Sequence, residues 1–182
     1  MYILHLSDLH FGNTEDANRW HGQLCNDLNL LLSQLEPNQP PCLDALIISG
    51  DIANKSLPEE YEAAELFINH LIPDFGLRRQ QIVIVPGNHD LNWELSDDAY
   101  QPVKRNKYQG SLDEKDIFEK NLLIDGNFVL VPDPSQYEQR FKYFSDFYEK
   151  IIGKPYPQLY RQQYELRYFP IGDKLRLCAI CQ

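Results

Sequence analysis

Three short apolar runs, residues 2–6, 45–48 and 82–85, stand out in the first half of the chain. Each run is followed at once by polar side chains, and bounded runs of this kind predict buried strands of a parallel sheet. The two segments between the runs carry apolar residues at helical spacing. This order predicts an α/β fold class that begins with a right-handed βαβαβ core.

Both intervening segments predict helices. In the first segment, four leucines recur with the period of an α-helix: Leu24, Leu28, Leu31 and Leu35. The second helix begins at Ser56 and Glu59, whose spacing fits a capping box. His21 and His70 lie on these two helices, and we interpret both as solvated surface residues that take no part in a site.

Side chains that commonly bind metals follow the three predicted strands. Asp8 and His10 come after the first strand, Asp51 after the second, and Asn88 and His89 after the third. Parallel strands bring their carboxyl ends to one edge of the sheet, so we expect these side chains to converge. Carboxylate, imidazole and amide groups together suit borderline divalent ions such as Mn, Fe or Zn better than Ca.

These residues form three motifs with a recognisable order and spacing: Asp8-x-His10, Gly50-Asp51 and Gly87-Asn88-His89-Asp90. The motifs resemble the signature of the calcineurin-like metallophosphoesterases, and they are most similar to those of bacterial members. The family's pattern continues with a lone histidine and Gly-His-x-His, whereas this chain has no histidine after His89. The resemblance implies the α/β sandwich of the metallophosphoesterase type, incomplete at its C-terminus.

The resemblance also implies a role for each matched residue. Asp8 and His10 would hold a first metal ion, Asn88 would help to hold a second, and Asp51 would bridge the two. Two divalent ions (Mn, Fe or Zn) about 3.5–4 Å apart can hold a phosphoryl group and activate a water molecule. The implied activity is metal-dependent hydrolysis of a phosphodiester of nucleotide or nucleic-acid type.

His89 and Asn54 are the candidate residues for proton transfer. His89 is interpreted as the general acid that protonates the leaving oxygen. Many relatives carry a carboxylate three residues beyond the bridging Asp51 to orient this histidine, and Asn54 occupies that position here. We expect the Asn54 side chain to accept a hydrogen bond from the ring and fix its tautomer. Asp90 is expected to bond backbone amides rather than a metal ion.

Two alternatives to a phosphodiesterase remain open. A phosphomonoesterase would use the same metal ligands, although the Asp-Arg-Gly continuation seen in protein phosphatases is missing here. Alternatively, the chain is a non-catalytic or regulatory N-terminal module of a larger protein, because the C-terminal histidine ligands are absent. On either enzymatic interpretation the partner is a phosphate-ester substrate.

The predicted organisation is a single metallophosphoesterase domain over residues 1–182. Residues 1–95 form the βαβαβ core, residues 96–172 a largely helical, aromatic insertion, and residues 173–182 a returning core strand. One helix of the insertion carries an apolar stripe that we interpret as core, with a lid over the substrate as the alternative: Tyr137, Phe141, Phe144, Tyr148 and Ile151. A hairpin is predicted near the end of the chain, over residues 164–169 and 175–180.

Composition argues against two classes of protein, non-specific nucleic-acid binders and membrane proteins. The 182 residues carry a formal net charge of −10, which argues against broad non-specific binding of nucleic acid. No signal peptide or membrane-length apolar run is visible, so we expect a cytoplasmic protein with no membrane partner. Cys178 and Cys181 are interpreted as buried strand cysteines, since a spacing of three points them to opposite faces.

The apolar strand at residues 175–180 lies directly before the last residue, Gln182. We therefore expect an N-terminal portion of a longer polypeptide, completed by the missing C-terminal half or by a partner domain. An exposed edge after Ile180 would favour self-association through strand pairing.

Overall fold

A computed structural model describes residues 1–157, together with the backbone of residues 164–171 and 174–181. Its first elements alternate along the chain: β1 (Ile3–Leu6), α1 (Thr14–Leu35), β2 (Ala45–Ser49), α2 (Pro58–Asp74) and β3 (Ile82–Val85). β1 pairs with β2 and β2 with β3, both in parallel. The predicted α/β class and parallel βαβαβ order are therefore confirmed.

The strand order β1-β2-β3 explains where the helices lie. Both crossovers step across the sheet in the same direction, so right-handed connections bring both helices to one face, where α1 packs against α2. β2 and β3 are buried along nearly their whole length, whereas Ile3 in the edge strand β1 remains 46% exposed. Removing side chains such as Ile48 and Ile82 from water stabilises the core by about 1.5–3 kcal/mol each.

The 22-residue helix α1 begins at Asn13, whose side chain accepts hydrogen bonds from the first-turn amides. Its fully buried residues are Ala17 and Leu32, while Leu31 and Leu35 are about half exposed. The buried face is thus rotated from the leucine stripe that marks the helix in the sequence. Among the described helices, none combines the length and hydropathy needed to cross a lipid bilayer.

The start of α2 differs from the capping box predicted at Ser56 and Glu59. Leu57 is the N-cap, and the buried Glu60 carboxylate accepts hydrogen bonds from the amides of Lys55 (2.9 Å) and Leu57 (3.0 Å). Ser56 has a φ of +56°, outside the extended conformation of an N-cap. The helix is where the sequence predicts it, but Glu60 caps it.

The chain forms two compact units, one of Met1–Leu91 with Tyr143–Gln182 and one of Asn92–Lys142. The second unit contains three short helices and three strands: α3 (Trp93–Asp97), β4 (Tyr100–Lys104), α4 (Glu114–Glu119), β5 (Leu123–Asp125), β6 (Phe128–Pro132) and α5 (Pro134–Tyr137). The strands form an antiparallel sheet in the order β4-β6-β5. This unit therefore carries a sheet besides the helices expected of the insertion.

The aromatic helix α6 (Lys142–Ile152) follows a short 3-10 turn rather than continuing from α5. Four of its side chains are buried: Phe144, Phe147, Tyr148 and Ile151. Phe147 stacks on Tyr61 of α2 with ring centroids 5.3 Å apart, and Phe144 packs edge-on against Tyr156 at 4.8 Å. Four residues of the predicted stripe are therefore core, Phe141, Phe144, Tyr148 and Ile151, whereas Tyr137 is half-buried in α5.

The last two strands, β7 (Tyr164–Ile171) and β8 (Lys174–Cys181), pair in antiparallel fashion. This confirms the predicted hairpin. Its turn at residues 172–173 lies outside the described residues, as do the side chains of Cys178 and Cys181, so their interpretation as buried thiols stays a prediction.

Candidate metal centre

The three parallel strands end together, and their following loops lie side by side. Leu6 is in register with Ile48, and Ile48 with Ile84. Beyond the strands the loops stay connected, because the amide of Asp8 donates to the carbonyl of Gly50 at 3.2 Å. The amide of His10 donates to the carbonyl of Asp51 at 2.9 Å in the same way. Backbone pairing therefore extends the sheet into the loops that carry the metal motifs.

Glycine is required where the second and third loops touch. A Cβ added to Gly87 would lie 2.2 Å from Oδ1 and 2.6 Å from the amide nitrogen of Asp51. Gly50 has a φ of +86°, and a Cβ added to it would lie 3.2 Å from the Cα of Gly87. The two glycines thus allow the backbone of the β3 loop to approach the carboxylate of Asp51 closely.

The side chains of three candidate ligands converge at this edge. Asp8, His10 and Asp51 each offer a donor atom within 4.8 Å of the other two. His10 Nδ1 is buried and has no hydrogen-bond partner among the described residues, an arrangement that costs free energy unless another group binds there. Two carboxylates and an imidazole are a donor set for a borderline divalent ion, so the residues fit a metal site.

Asn88 and His89 follow directly on β3 in a short 3-10 helix, Asn88–Asp90. Asn88 is exposed at the same edge as the three converging ligands, and its role as a ligand stays a prediction. The amide of His89 donates to Asp51 Oδ1 at 3.0 Å, and the His89 ring lies edge-on to that of His10, with centroids 4.8 Å apart. His89 is therefore adjacent to two of the three converging ligands.

The orientation of His89 is fixed by the main chain of Asn54. His89 Nδ1 lies 2.7 Å from the backbone carbonyl oxygen of Asn54. A carbonyl oxygen only accepts hydrogen bonds, so Nδ1 carries the proton and the tautomer is set. The sequence correctly identified Asn54 as the neighbour of His89, but the predicted acceptor was its side chain. The group that accepts this hydrogen bond is its backbone carbonyl.

Asp90 links the loop that follows β2 to the loop that follows β3. Its fully buried carboxylate accepts hydrogen bonds from the amides of Ile52 (3.2 Å), Ala53 (3.0 Å) and Gly87 (2.9 Å). Burial raises the pKa of the Asp90 carboxyl, and the three amides act in the opposite direction. Asp90 thus bonds backbone amides, as the sequence predicted.

Two further residues complete this network, and no motif in the sequence indicates them. The Tyr61 hydroxyl lies 3.1 Å from Asp90 Oδ1, and the Ser56 hydroxyl donates to the Asp90 carbonyl at 2.8 Å. The two hydroxyls are 3.1 Å apart. Ser56 and Tyr61, two buried residues at the start of α2, thereby link this helix to the loop that carries Asn88 and His89. A tyrosine and a serine in a helix start gave no signal of this contact.

Comparison with known proteins shows which family shares this sequence. The chain is 26% identical over 162 residues to the "Uncharacterized metallophosphoesterase-like protein YydB" of Bacillus subtilis (strain 168), covering 86% of this chain and 29% of that protein. It is 32% identical over 97 residues to the "Glycerophosphodiester phosphodiesterase GpdQ" of Enterobacter lignolyticus (strain SCF1), covering 50% of this chain and 30% of that protein. The chain thus spans less than a third of the length of these relatives. The sequence profile of the calcineurin-like phosphoesterases matches residues 1–166, and the chain belongs to that family.

Proposed function

We propose that this chain carries the metal-binding core of a phosphodiesterase that depends on two divalent ions (Mn, Fe or Zn). Asp8 and His10 hold the first ion, Asn88 helps to hold the second, and Asp51 bridges them. The observation that carries the proposal is the convergence of the Asp8, His10 and Asp51 donor atoms within 4.8 Å at the carboxyl edge of the sheet.

The charges of the residues suit binding of a phosphate ester. When bound, two divalent ions supply Lewis-acid stabilisation of a phosphoryl oxygen and lower the pKa of water. Asp8 and Asp51 offset only two of their four positive charges, and the amide of Asn88 offsets none. The edge of the sheet therefore keeps a positive balance that attracts an anionic ester, although the whole chain carries −10.

His89 is the proposed general acid. The Asn54 carbonyl fixes its Nδ1 proton, so the exchangeable proton for a leaving oxygen is the one on Nε2. A neutral carbonyl orients the ring and stabilises an imidazolium less than a carboxylate would. The role of the Asn54 carbonyl is therefore to orient the His89 ring rather than to stabilise its charge.

A diester substrate is proposed for two reasons. The relative from Enterobacter lignolyticus is named as a phosphodiesterase that acts on a glycerophosphodiester, and its similarity covers half of this chain. The net charge of −10 disfavours long nucleic acids, so a nucleotide or another small diester suits the chain better. A monoesterase would require the same ligands and is distinguished by substrate alone.

The test is hydrolysis of bis(p-nitrophenyl) phosphate and of p-nitrophenyl phosphate by the complete polypeptide that contains these 182 residues, with Mn²⁺. We expect metal-dependent hydrolysis that favours the diester and is lost in Asp51→Asn. Preference for the monoester would make the protein a phosphomonoesterase. No metal-dependent hydrolysis of either compound would favour the non-catalytic module.

A further inference from the structure

A second group of metal-binding side chains lies between α1 and α2. His21 and Cys25 are one turn apart on α1, and His70 and Asp74 are one turn apart on α2. Residues at this spacing share one helix face, so each helix presents two of these side chains to its neighbour. We call these four residues the interhelical cluster. The sequence prediction treated both histidines as solvated bystanders, but His21 is half-buried and hydrogen-bonded.

Three donor atoms of this cluster meet at one point. His21 Nε2 lies 2.8 Å from Asp74 Oδ2 and 3.1 Å from Cys25 Sγ. Cys25 Sγ lies 3.4 Å from the same Asp74 oxygen. The His70 ring packs edge-on against the His21 ring at 5.0 Å and so restrains it. A nitrogen, a sulfur and an oxygen thus point at one small volume.

This arrangement differs from a cysteine-histidine-carboxylate catalytic triad. In a triad the nucleophile and the carboxylate contact different ring nitrogens, whereas Cys25 and Asp74 both contact His21 Nε2. Burial, and then the hydrogen bond to Asp74, raise the pKa of the Cys25 thiol to about 11, the opposite of an activated nucleophile. The geometry suits a shared ligand better than proton relay.

We propose that His21, Cys25 and Asp74 bind a thiolate-preferring divalent cation of the zinc type between α1 and α2. Sulfur, nitrogen and oxygen are the donors that Zn²⁺ takes in proteins. Tetrahedral coordination at ordinary Zn–ligand lengths separates such donors by about 3.4–3.6 Å. The Cys25–Asp74 separation of 3.4 Å already meets this range. The His21–Cys25 separation of 3.1 Å is about 0.3–0.5 Å too short, and the His21–Asp74 separation of 2.8 Å about 0.6–0.8 Å too short. Rotation of the half-exposed Asp74 side chain can supply the larger of these changes.

The site is open to an arriving ion. The Asp74 side chain is 45% exposed and that of His21 is 21% exposed, so a hydrated cation can reach the donors and keep water as a fourth ligand. The site is also separate from the phosphoesterase ligands. The first residues of α2 contact the loop that carries Asn88 and His89. Asp74 is the last residue of α2 and lies about 24 Å along the helix axis from the first, Pro58.

The experiment uses Co²⁺ as a spectroscopic probe in place of Zn²⁺. Bound to a thiolate, Co²⁺ gives an intense sulfur-to-metal charge-transfer absorption, which oxygen and nitrogen ligands do not produce. We expect this band in the wild-type chain and in Asp51→Asn, which lacks the shared ligand of the phosphoesterase site. The band should disappear in Cys25→Ser. Cys42→Ser is the matched control, since Cys42 is an exposed free thiol, and it should keep the band.

A second measurement keeps the proposal testable if Cys25→Ser folds poorly. Asp74→Asn retains the shape of a half-exposed side chain. Tested in the Asp51→Asn background, where the shared ligand of the phosphoesterase site is removed, it should lower Zn²⁺ affinity at least about tenfold in calorimetric titration. Absence of the charge-transfer band from the wild-type chain would overturn the proposal. Persistence of the band in Cys25→Ser, or an unchanged Zn²⁺ affinity in Asp74→Asn, would also overturn it and leave a hydrogen-bonded cluster alone.

Discussion

Three candidate ligand residues adopt a backbone conformation that non-glycine residues usually avoid. The φ angles of Asp8, His10 and Asp51 are +55°, +45° and +52°. Left-handed conformations of non-glycine residues cost of order 1–3 kcal/mol each and persist only where the surrounding structure enforces them. Here the amides of Asp8 and His10 are held by carbonyls of the neighbouring loop. The strain accompanies side chains that converge, which is the arrangement expected of a preorganised site.

The first prediction concerns Gly87. Gly87→Ala places a methyl group 2.2 Å from Asp51 Oδ1, so either the β3 loop or the Asp51 carboxylate must move. We expect the free energy of unfolding to fall by about 1–3 kcal/mol. We also expect the Mn²⁺ affinity of the same variant to fall. Chemical denaturation and metal titration measure the two effects. Gly22→Ala is the control, since a Cβ there meets nothing within 4 Å and should stabilise α1 by about 0.5–1 kcal/mol. Wild-type stability and metal affinity in Gly87→Ala would contradict the close approach.

The second prediction separates His89 from Asn54. His89→Ala should lower turnover of the complete enzyme by about 10²–10⁴-fold, the range for loss of a general acid, with metal content nearly intact. Asn54→Ala should lower turnover far less, because the hydrogen bond to His89 uses the backbone carbonyl that alanine retains. Steady-state kinetics and elemental analysis distinguish the outcomes. Loss of metal from His89→Ala would make His89 a ligand, and equal losses in both variants would give the Asn54 side chain its predicted role.

At the scale of elements, the capping of α2 yields the third prediction. Glu60→Ala removes the carboxylate that accepts from the Lys55 and Leu57 amides, leaving two partly buried donors unpaired. We expect a loss of about 1–3 kcal/mol in the free energy of unfolding. Glu59→Ala is the matched control, since Glu59 is exposed in the same turn and should change stability by no more than about 0.5 kcal/mol. Urea denaturation measures the free energy of unfolding of both variants. A larger loss of this free energy in Glu59→Ala than in Glu60→Ala would support the capping box predicted from the sequence.

The sequence predicts the parallel core well and the strands β4 and β5 of the second unit poorly, for a physical reason. Strands buried on both faces are continuous apolar runs, and β2 and β3 have that form. β4 contains Pro102 and exposed polar residues, and the three residues of β5 are all exposed. Such strands carry neither an apolar run nor a regular alternation, so only pairing with β6 reveals them.

Helix α1 shows a related limit. Its leucines correctly predict a helix, but Leu31 and Leu35 are exposed while His21 and Cys25 are half-buried against α2. Hydrophobicity gives the period of a helix, whereas the packing partner decides which face is covered. The chemistry on the covered face is therefore visible only once α1 and α2 are placed together.

The candidate site also has a part that the sequence predicts, its side-chain ligands, and a part that it does not, its main-chain contacts. Asp8, His10 and Asp51 are predictable because side-chain chemistry at strand ends is written in the sequence. The contacts made by main-chain atoms are not, since every residue has the same carbonyl and amide. The Asn54 carbonyl that orients His89 and the amides that hold Asp90 belong to this second class.

At the scale of the whole molecule, charge and metal content are linked. The net charge of −10 repels anionic polymers, and divalent ions held by the proposed ligands would reverse the sign only near the carboxyl edge of the sheet. Small phosphate esters can enter such a local field, while a long polyanion would also meet the acidic surface around it. On the proposed function, metal content at this edge would therefore decide whether the chain attracts a phosphate ester.

The last prediction is the number of Mn²⁺ ions that this edge holds tightly. On the proposed assignment, and among the described residues, Asp8, His10 and Asp51 would supply three groups to the first ion, whereas Asp51 and Asn88 would supply two to the second. Three ligands with open positions can hold a borderline metal, but a shared carboxylate and a neutral amide hold one poorly. We expect at most one tightly bound Mn²⁺ per chain after dialysis, measured by elemental analysis. It should be lost in Asp51→Asn and kept in His21→Ala, because Mn²⁺ has little preference for the thiol of the interhelical cluster. Two tightly bound Mn²⁺ ions, both lost in Asp51→Asn, would contradict this count and require further ligands from a partner chain or from residues beyond those described.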